Sequence, residues 1–257
     1  MKTIPSIITL ITLSFTFNVN ASDMAKEQRW ADDIEATLMD GETIMLNDGK
    51  NEFLGIFTEA VEDQQRAAII MHGTGIHPDW KQVISPLRVG LTDHNWHTLS
   101  IQMPILKNGA EYPEYAPLYE EVAPRINAAI KQLKDDGIKK IVLIGHSQGS
   151  AMGTYYLSKN KANILGFVGI GMPDLSDDVR MKNTESLKAI TTPVLDIYGS
   201  DDLKSVLDNN EKRMAAGEKA GNERYSQIAI KNADHFFKAK EDELIRWVAD
   251  WMGRLDQ

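Results

Sequence analysis

The chain has 257 residues, no cysteine and a formal net charge of −9. Its hydrophobic content of 42% and charged content of 25% are globular values, so wholesale disorder is excluded. The acidic excess repels phosphate backbones and argues against nucleic acid as a partner. The lack of cysteine rules out disulfides, thiolate metal sites and a cysteine nucleophile.

Met1 and Lys2 form a short basic start, followed by an uncharged apolar run from Ile4 to Val19. Val19-Asn20-Ala21 then places small residues where export peptidases prefer them. The run is shorter than the ~20 residues that a spanning helix needs. Residues 1–21 therefore read as a signal peptide cut after Ala21, not as an anchor. The expected mature chain, residues 22–257, is one domain, exported to the periplasm or secreted, with no stable membrane insertion after processing. It carries 27 bases against 37 acids, for a net charge of −10.

Thr43–Leu46 and Glu52–Phe57 flank Asn47-Asp48-Gly49, a hairpin signal. Ala67–Met71 is a compact apolar strand ended by His72-Gly73-Thr74-Gly75. A helical pattern covers Trp80 to Asp93, and Thr98–Met103 forms the next strand. Leu118, Val122, Ile126, Ile130 and Leu133 recur at helical spacing until Gly137. Lys140–Gly145 is a buried-type strand leading into a helix that runs to Leu157. Strands follow at Ile164–Ile170, Pro193–Tyr198 and Ser226–Ile230. A last helix puts Leu244, Trp247, Val248, Trp251 and Leu255 on one face. Continuous apolar strands between amphipathic helices predict an α/β fold. Its central sheet is mostly parallel and covered on both faces, with an antiparallel N-terminal hairpin. Lys107–Pro117 and Asp174–Thr192 carry no assignment. The segment before Pro193 is short, which predicts a small cap or none.

Gly145-His146-Ser147-Gln148-Gly149 matches G-x-S-x-G and joins a buried strand directly to a helix, the setting a nucleophile elbow requires. A serine needs a base, and the base needs an orienting acid. Of six histidines, His235 follows the last strand. For the acid, Gly199-Ser200-Asp201-Asp202 closes the preceding strand; Asp202 is favoured, Asp201 is the alternative and Asp174 a third option. Asp196, inside its strand, reads as a structural group needing a hydrogen-bond partner. Oxyanion donors are expected from the N–H groups of Gln148 and Thr74, with Gly73 allowing close approach. His77 is a candidate pocket residue. His72 and His146 belong to the two loop motifs and are expected to hold them. His94 and His97 read as surface residues, and Tyr112, Tyr115 and Tyr119 as loop aromatics packed on the body. No clustered ligand set suggests a metal, and no cofactor is expected.

Through these motifs, in this order and spacing, residues 40 to 255 resemble the α/β-hydrolase superfamily. The stretch from His72 to Pro104 resembles an exported bacterial branch of it without an assigned reaction. The resemblance implies a serine hydrolase that forms an acyl-enzyme on a small-molecule acyl substrate, an ester or a related compound. The competing expectation is a non-catalytic binding protein of the cell envelope on the same scaffold.

Overall fold

A computed structural model describes residues 21–62 and 65–255. Eight strands form one sheet: β1 (Glu42–Asn47), β2 (Glu52–Thr58), β3 (Arg66–Met71), β4 (His97–Ile101), β5 (Lys140–His146), β6 (Gly166–Ile170), β7 (Val194–Gly199) and β8 (Tyr225–Ile230). Their order across the sheet is β1-β2-β4-β3-β5-β6-β7-β8. The β1–β2 and β2–β4 pairs are antiparallel, and every pair from β4–β3 to β7–β8 is parallel.

The helices are α1 (Met24–Thr37), α2 (Ile84–Gly90), α3 (Tyr119–Asp135), α4 (Gln148–Lys159), α5 (Asn183–Ser186), α6 (Lys204–Leu207), α7 (Asn210–Lys219) and α8 (Glu241–Arg254). Alternation along the central strands divides the core in two. Ile69, Met71 and Leu143 pack with Val122, Ile126 and Met152 of α3 and α4. Ile70, Val142 and Ile144 pack with Leu87, Leu244 and Val248 of α2 and α8. Each such Ile or Leu, fully buried, contributes about 1.5–3 kcal/mol. A smaller cluster of Ala31, Ile34, Leu54 and Ile56 docks α1 on β2.

The signal peptide expected over residues 1–21 lies outside the described residues except for Ala21. Among the described residues no helix is long and apolar enough to cross a membrane. The helix expected over Trp80–Asp93 is shorter, running from Ile84 to Gly90 and continuing as a 3-10 turn, Leu91–His94. Pro86 explains this, because it lacks an N–H and is tolerated in a first turn but not in a helix interior. On α8 the buried face includes Met252, whereas Trp247 is exposed. Lys107–Pro117 leads into a 3-10 helix, Tyr112–Leu118, that begins with a reciprocal cap between Glu111 and Glu114. Asp174–Thr192 contains α5 and two 3-10 turns, packed on α4 and α7.

Since β4 and β5 both pair with β3, the chain leaves β3 and β5 toward opposite sides of the sheet. That reversal falls at the carboxyl edge, where the loops after β3 and β5 meet, the place at which open α/β sheets bind ligands.

Candidate active site

Ser147 sits at this edge, between β5 and α4, with φ 54° and ψ −121°. Such a backbone is strained for a residue with a Cβ and marks a position fixed by its surroundings. The flanking glycines explain how it is accommodated. A Cβ on Gly145 would lie 2.5 Å from the Gly149 carbonyl oxygen, and one on Gly149 would lie 2.3 Å from that of Met71. Strand, turn and helix can close this tightly only without side chains there. The Ser147 N–H donates to the Ile170 carbonyl at 2.9 Å. Gln148, buried, is the first residue of α4, so its N–H has no acceptor within the helix.

The loop after β3 lies against the serine. The Cβ position of Gly73 is 3.1 Å from the Ser147 Cβ, and Thr74 follows it, half-buried. His72 sets this loop. Its Nδ1–H donates to the Gly73 carbonyl at 2.9 Å, while Nε2 accepts from the Met103 N–H at 2.9 Å and the Gln102 amide at 2.8 Å. Complete burial pushes the His72 pKa down to about 3, so the ring is neutral and this tautomer is held by its partners.

His235 follows β8. Its Nδ1 is 2.6 Å from Asp202 Oδ1, and both side chains are almost fully buried. The same carboxylate accepts the N–H groups of Leu203 at 2.7 Å and Gly199 at 3.3 Å. A carboxylate at Nδ1 holds the proton there and leaves Nε2 with its lone pair. Asp201 is not brought to the imidazole. It is exposed, accepts from the Ser200 hydroxyl, and donates its N–H to the Ala233 carbonyl. Asp174 is likewise engaged elsewhere, accepting from the Asn183 N–H and the Thr184 hydroxyl. Asp196, wholly buried, takes Arg213, Tyr225 and Gln227, each at 2.7 Å.

Ile170 and Gly171, at the end of β6, join the two halves. Ile170 receives the Ser147 N–H, and a Cβ on Gly171 would lie 3.0 Å from both Nδ1 and Cε1 of His235. Gly171 has φ +55°, and the sequence reading missed it; a glycine directly after a buried strand was its only signal. His146 supports the imidazole from below. Its Nε2–H donates to the His235 carbonyl at 3.0 Å, and the rings lie 4.9 Å apart. Burial pushes the His146 pKa down to about 3.

His77 is placed elsewhere. Its ring lies between Trp30 and Trp80, at 5.3 and 5.4 Å, and lines a cavity of about 720 Å³ between α1 and the loop after β3. Ser147, Asp202 and His235 do not line that cavity. His97, expected at the surface, is buried against Phe57, and its Nδ1 accepts the Ala60 N–H. Tyr115, in the 3-10 helix, and Tyr119, the first residue of α3, are buried in the core. Among the described residues no group of three or more His, Asp or Glu side chains is arranged to hold a metal ion.

The model of a family described as a protein of unknown function, DUF3530, matches residues 20–123 and 114–254. The chain belongs to that family. No curated protein matches this DUF3530 member. Among solved structures it is similar to Est1E from Butyrivibrio proteoclasticus, with a TM-score of 0.66 and 15% identity over 83% of this chain and 98% of that one. It is also similar to dienelactone hydrolase from Anabaena variabilis, with a TM-score of 0.67 and 15% identity over 82% of this chain and 96% of that one. An alpha-beta serine hydrolase homologue from Coxiella burnetii gives a TM-score of 0.64 and 15% identity over 83% and 98%. These likenesses establish the α/β-hydrolase fold for this DUF3530 chain.

Proposed function

We propose that the protein is a serine hydrolase cleaving an ester or related acyl bond through Ser147, His235 and Asp202. The observation that carries this reading is the Ile170–Gly171 dipeptide, which accepts the N–H of the strained serine on one side and on the other leaves no room for a side chain beside the imidazole. His235 Nε2 takes the Ser147 proton as Oγ attacks the acyl carbon, and Asp202 stabilises the imidazolium that forms. The N–H groups of Gln148 and Thr74 receive the developing oxyanion, each contributing about 3 kcal/mol to the transition state. The imidazolium then protonates the leaving oxygen as the C–O bond breaks. Water repeats the sequence on the acyl-enzyme, releases the acid and restores the serine.

The names of the structural neighbours, which include an esterase and a dienelactone hydrolase, favour acyl esters and lactones as the first substrates to test. A fluorophosphonate probe should label the wild-type protein on Ser147, and Ser147→Ala should lower turnover of a short acyl nitrophenyl ester by about a millionfold. Unchanged turnover in a folded Ser147→Ala protein would refute the reading.

A further inference from the structure

We propose that cleavage of the Ala21–Ser22 bond turns the Ser22 nitrogen into an ammonium that serves as the missing cation of a buried carboxylate cluster. The proposal goes beyond the hydrolase reading, and it rests on the expectation that residues 1–21 are a signal peptide.

The cluster surrounds Arg125, which α3 delivers into the core with no exposed surface. Three carboxylates lie within 4 Å of its guanidinium: Glu27 at 2.9 Å, Glu121 at 3.8 Å and Asp48 at 3.9 Å. Glu27 and Asp48 are nearly fully buried, and Glu121 is about one quarter exposed. One guanidinium against three carboxylates leaves a formal charge of −2, with Asp48 and Glu121 facing a cavity of about 400 Å³ that Ala21 and Lys50 also line. Buried charge of one sign is costly unless it is paired. The next cation on α1, Lys26, is committed elsewhere, donating to the Leu106 carbonyl at 3.0 Å and lying over the Trp30 ring. Burial raises the pKa of Glu27 against the opposing pull of Arg125, and the neighbouring Glu121 carboxylate adds to the rise.

Ser22 stands where a second cation would act. Its nitrogen is 3.1 Å from Glu121 Oε1, its hydroxyl donates to Glu27 Oε1, and that hydroxyl oxygen accepts the Ile105 N–H at 2.8 Å. Only 7% of the residue is exposed, whereas Ala21 immediately before it is exposed. As an amide, the Ser22 nitrogen offers Glu121 one neutral donor. Hydrolysis by an endopeptidase that accepts small residues at the first and third positions before the cut breaks the Ala21–Ser22 C–N bond. Water supplies OH to the Ala21 carbonyl carbon and hydrogen to the Ser22 nitrogen. A further proton from solvent then gives an ammonium with three donors and a full charge. Because Ser22 is buried in the folded body, the cut comes before this segment docks.

The cluster also communicates with the proposed oxyanion loop. Arg125 donates to the Gln102 carbonyl at 3.0 Å, the Gln102 amide donates to His72 Nε2 at 2.8 Å, and His72 donates to the Gly73 carbonyl at 2.9 Å. The new terminus thus sits at one end of a hydrogen-bonded chain whose other end lies against Ser147.

The test begins with the full chain, expressed in a bacterium that exports it. Intact-mass measurement should find a protein starting at Ser22; any other start overturns the processing step itself. Two further chains, 22–257 and 20–257, are then melted in parallel. The second keeps the Ser22 nitrogen as an amide and should melt lower by about 3–6 °C. Glu121→Gln in both chains should remove most of that difference, as a double-mutant cycle requires of coupled groups. N-terminal acetylation of the 22–257 chain, which removes the charge without a mutation, should reproduce the loss. Equal melting of the 22–257, 20–257 and acetylated chains, or a difference that Glu121→Gln leaves intact, overturns the role of the ammonium. None of these readouts depends on hydrolase activity.

Discussion

The Nε2 of His146 lies 3.0 Å from the carbonyl oxygen of His235. The residue beside the serine thus fastens the loop carrying the proposed base. Because burial keeps His146 neutral, its one ring proton is free for this bond. Replacing it with Leu should release the loop and lower turnover on an acyl ester by about 10–100-fold, since small displacements of reacting groups carry costs of that order. His146→Gln, which keeps a donor, should recover part of the loss. The change should appear in kcat more than in KM.

Asp202 and Asp201 are neighbours in sequence with different surroundings. Asp202→Asn should permit the wrong imidazole tautomer and reduce kcat by about 10⁴-fold. Asp201→Asn changes an exposed side chain bonded to Ser200 and should leave kcat within a few-fold of wild type. Steady-state kinetics of the two proteins side by side checks both. Comparable losses would remove Asp202 from its assigned role.

Gly171→Ala would place a methyl group 3.0 Å from the His235 ring on a backbone with φ +55°. The αL strain costs about 1–2 kcal/mol. The contact should also push the imidazole off its position over β6. Activity should therefore fall further than the modest drop in urea midpoint implies, and fluorophosphonate labelling should slow in parallel.

His72 and His146 have folded-state pKa values of about 3 against an ordinary 6.5. The unfolded chain binds their protons first, so their stabilising effect is complete above pH 6.5 and is lost as pH falls toward 3. Each should steepen the decline by about 1.4 kcal/mol per pH unit within that window. Urea denaturation from pH 7 to pH 4 should show the slope, and His146→Gln should remove the share of one proton.

The parallel sheet is legible in the sequence because its strands are continuous apolar runs, as in Lys140–His146, whose residues after Lys140 are all buried. The turn at Ser147 is legible because only glycine fits on either side of it. Helices α1 and α7 are a different matter, and for a shared reason. Among the residues α1 buries are Lys26 and Glu27, and among those α7 buries is Arg213, paired with Asp196. Charges on the inward face erase the apolar stripe by which a helix is recognised. The choice between Asp202 and Asp201 depends on how the loop after β7 folds back on the loop after β8, a contact between distant segments that no local pattern encodes.

The connection between β6 and β7 rests on α4 and α7 and contributes no strand to the sheet. Its Met172, Met181, Leu187 and Ile190 are nonetheless buried in the core, and the Met172 carbonyl accepts from Arg213, so the 172–192 stretch is built into the framework beneath it. Swapping the whole stretch should therefore cost thermal stability, whereas substitutions confined to its exposed Leu175 and Val179 should leave the melting temperature unchanged.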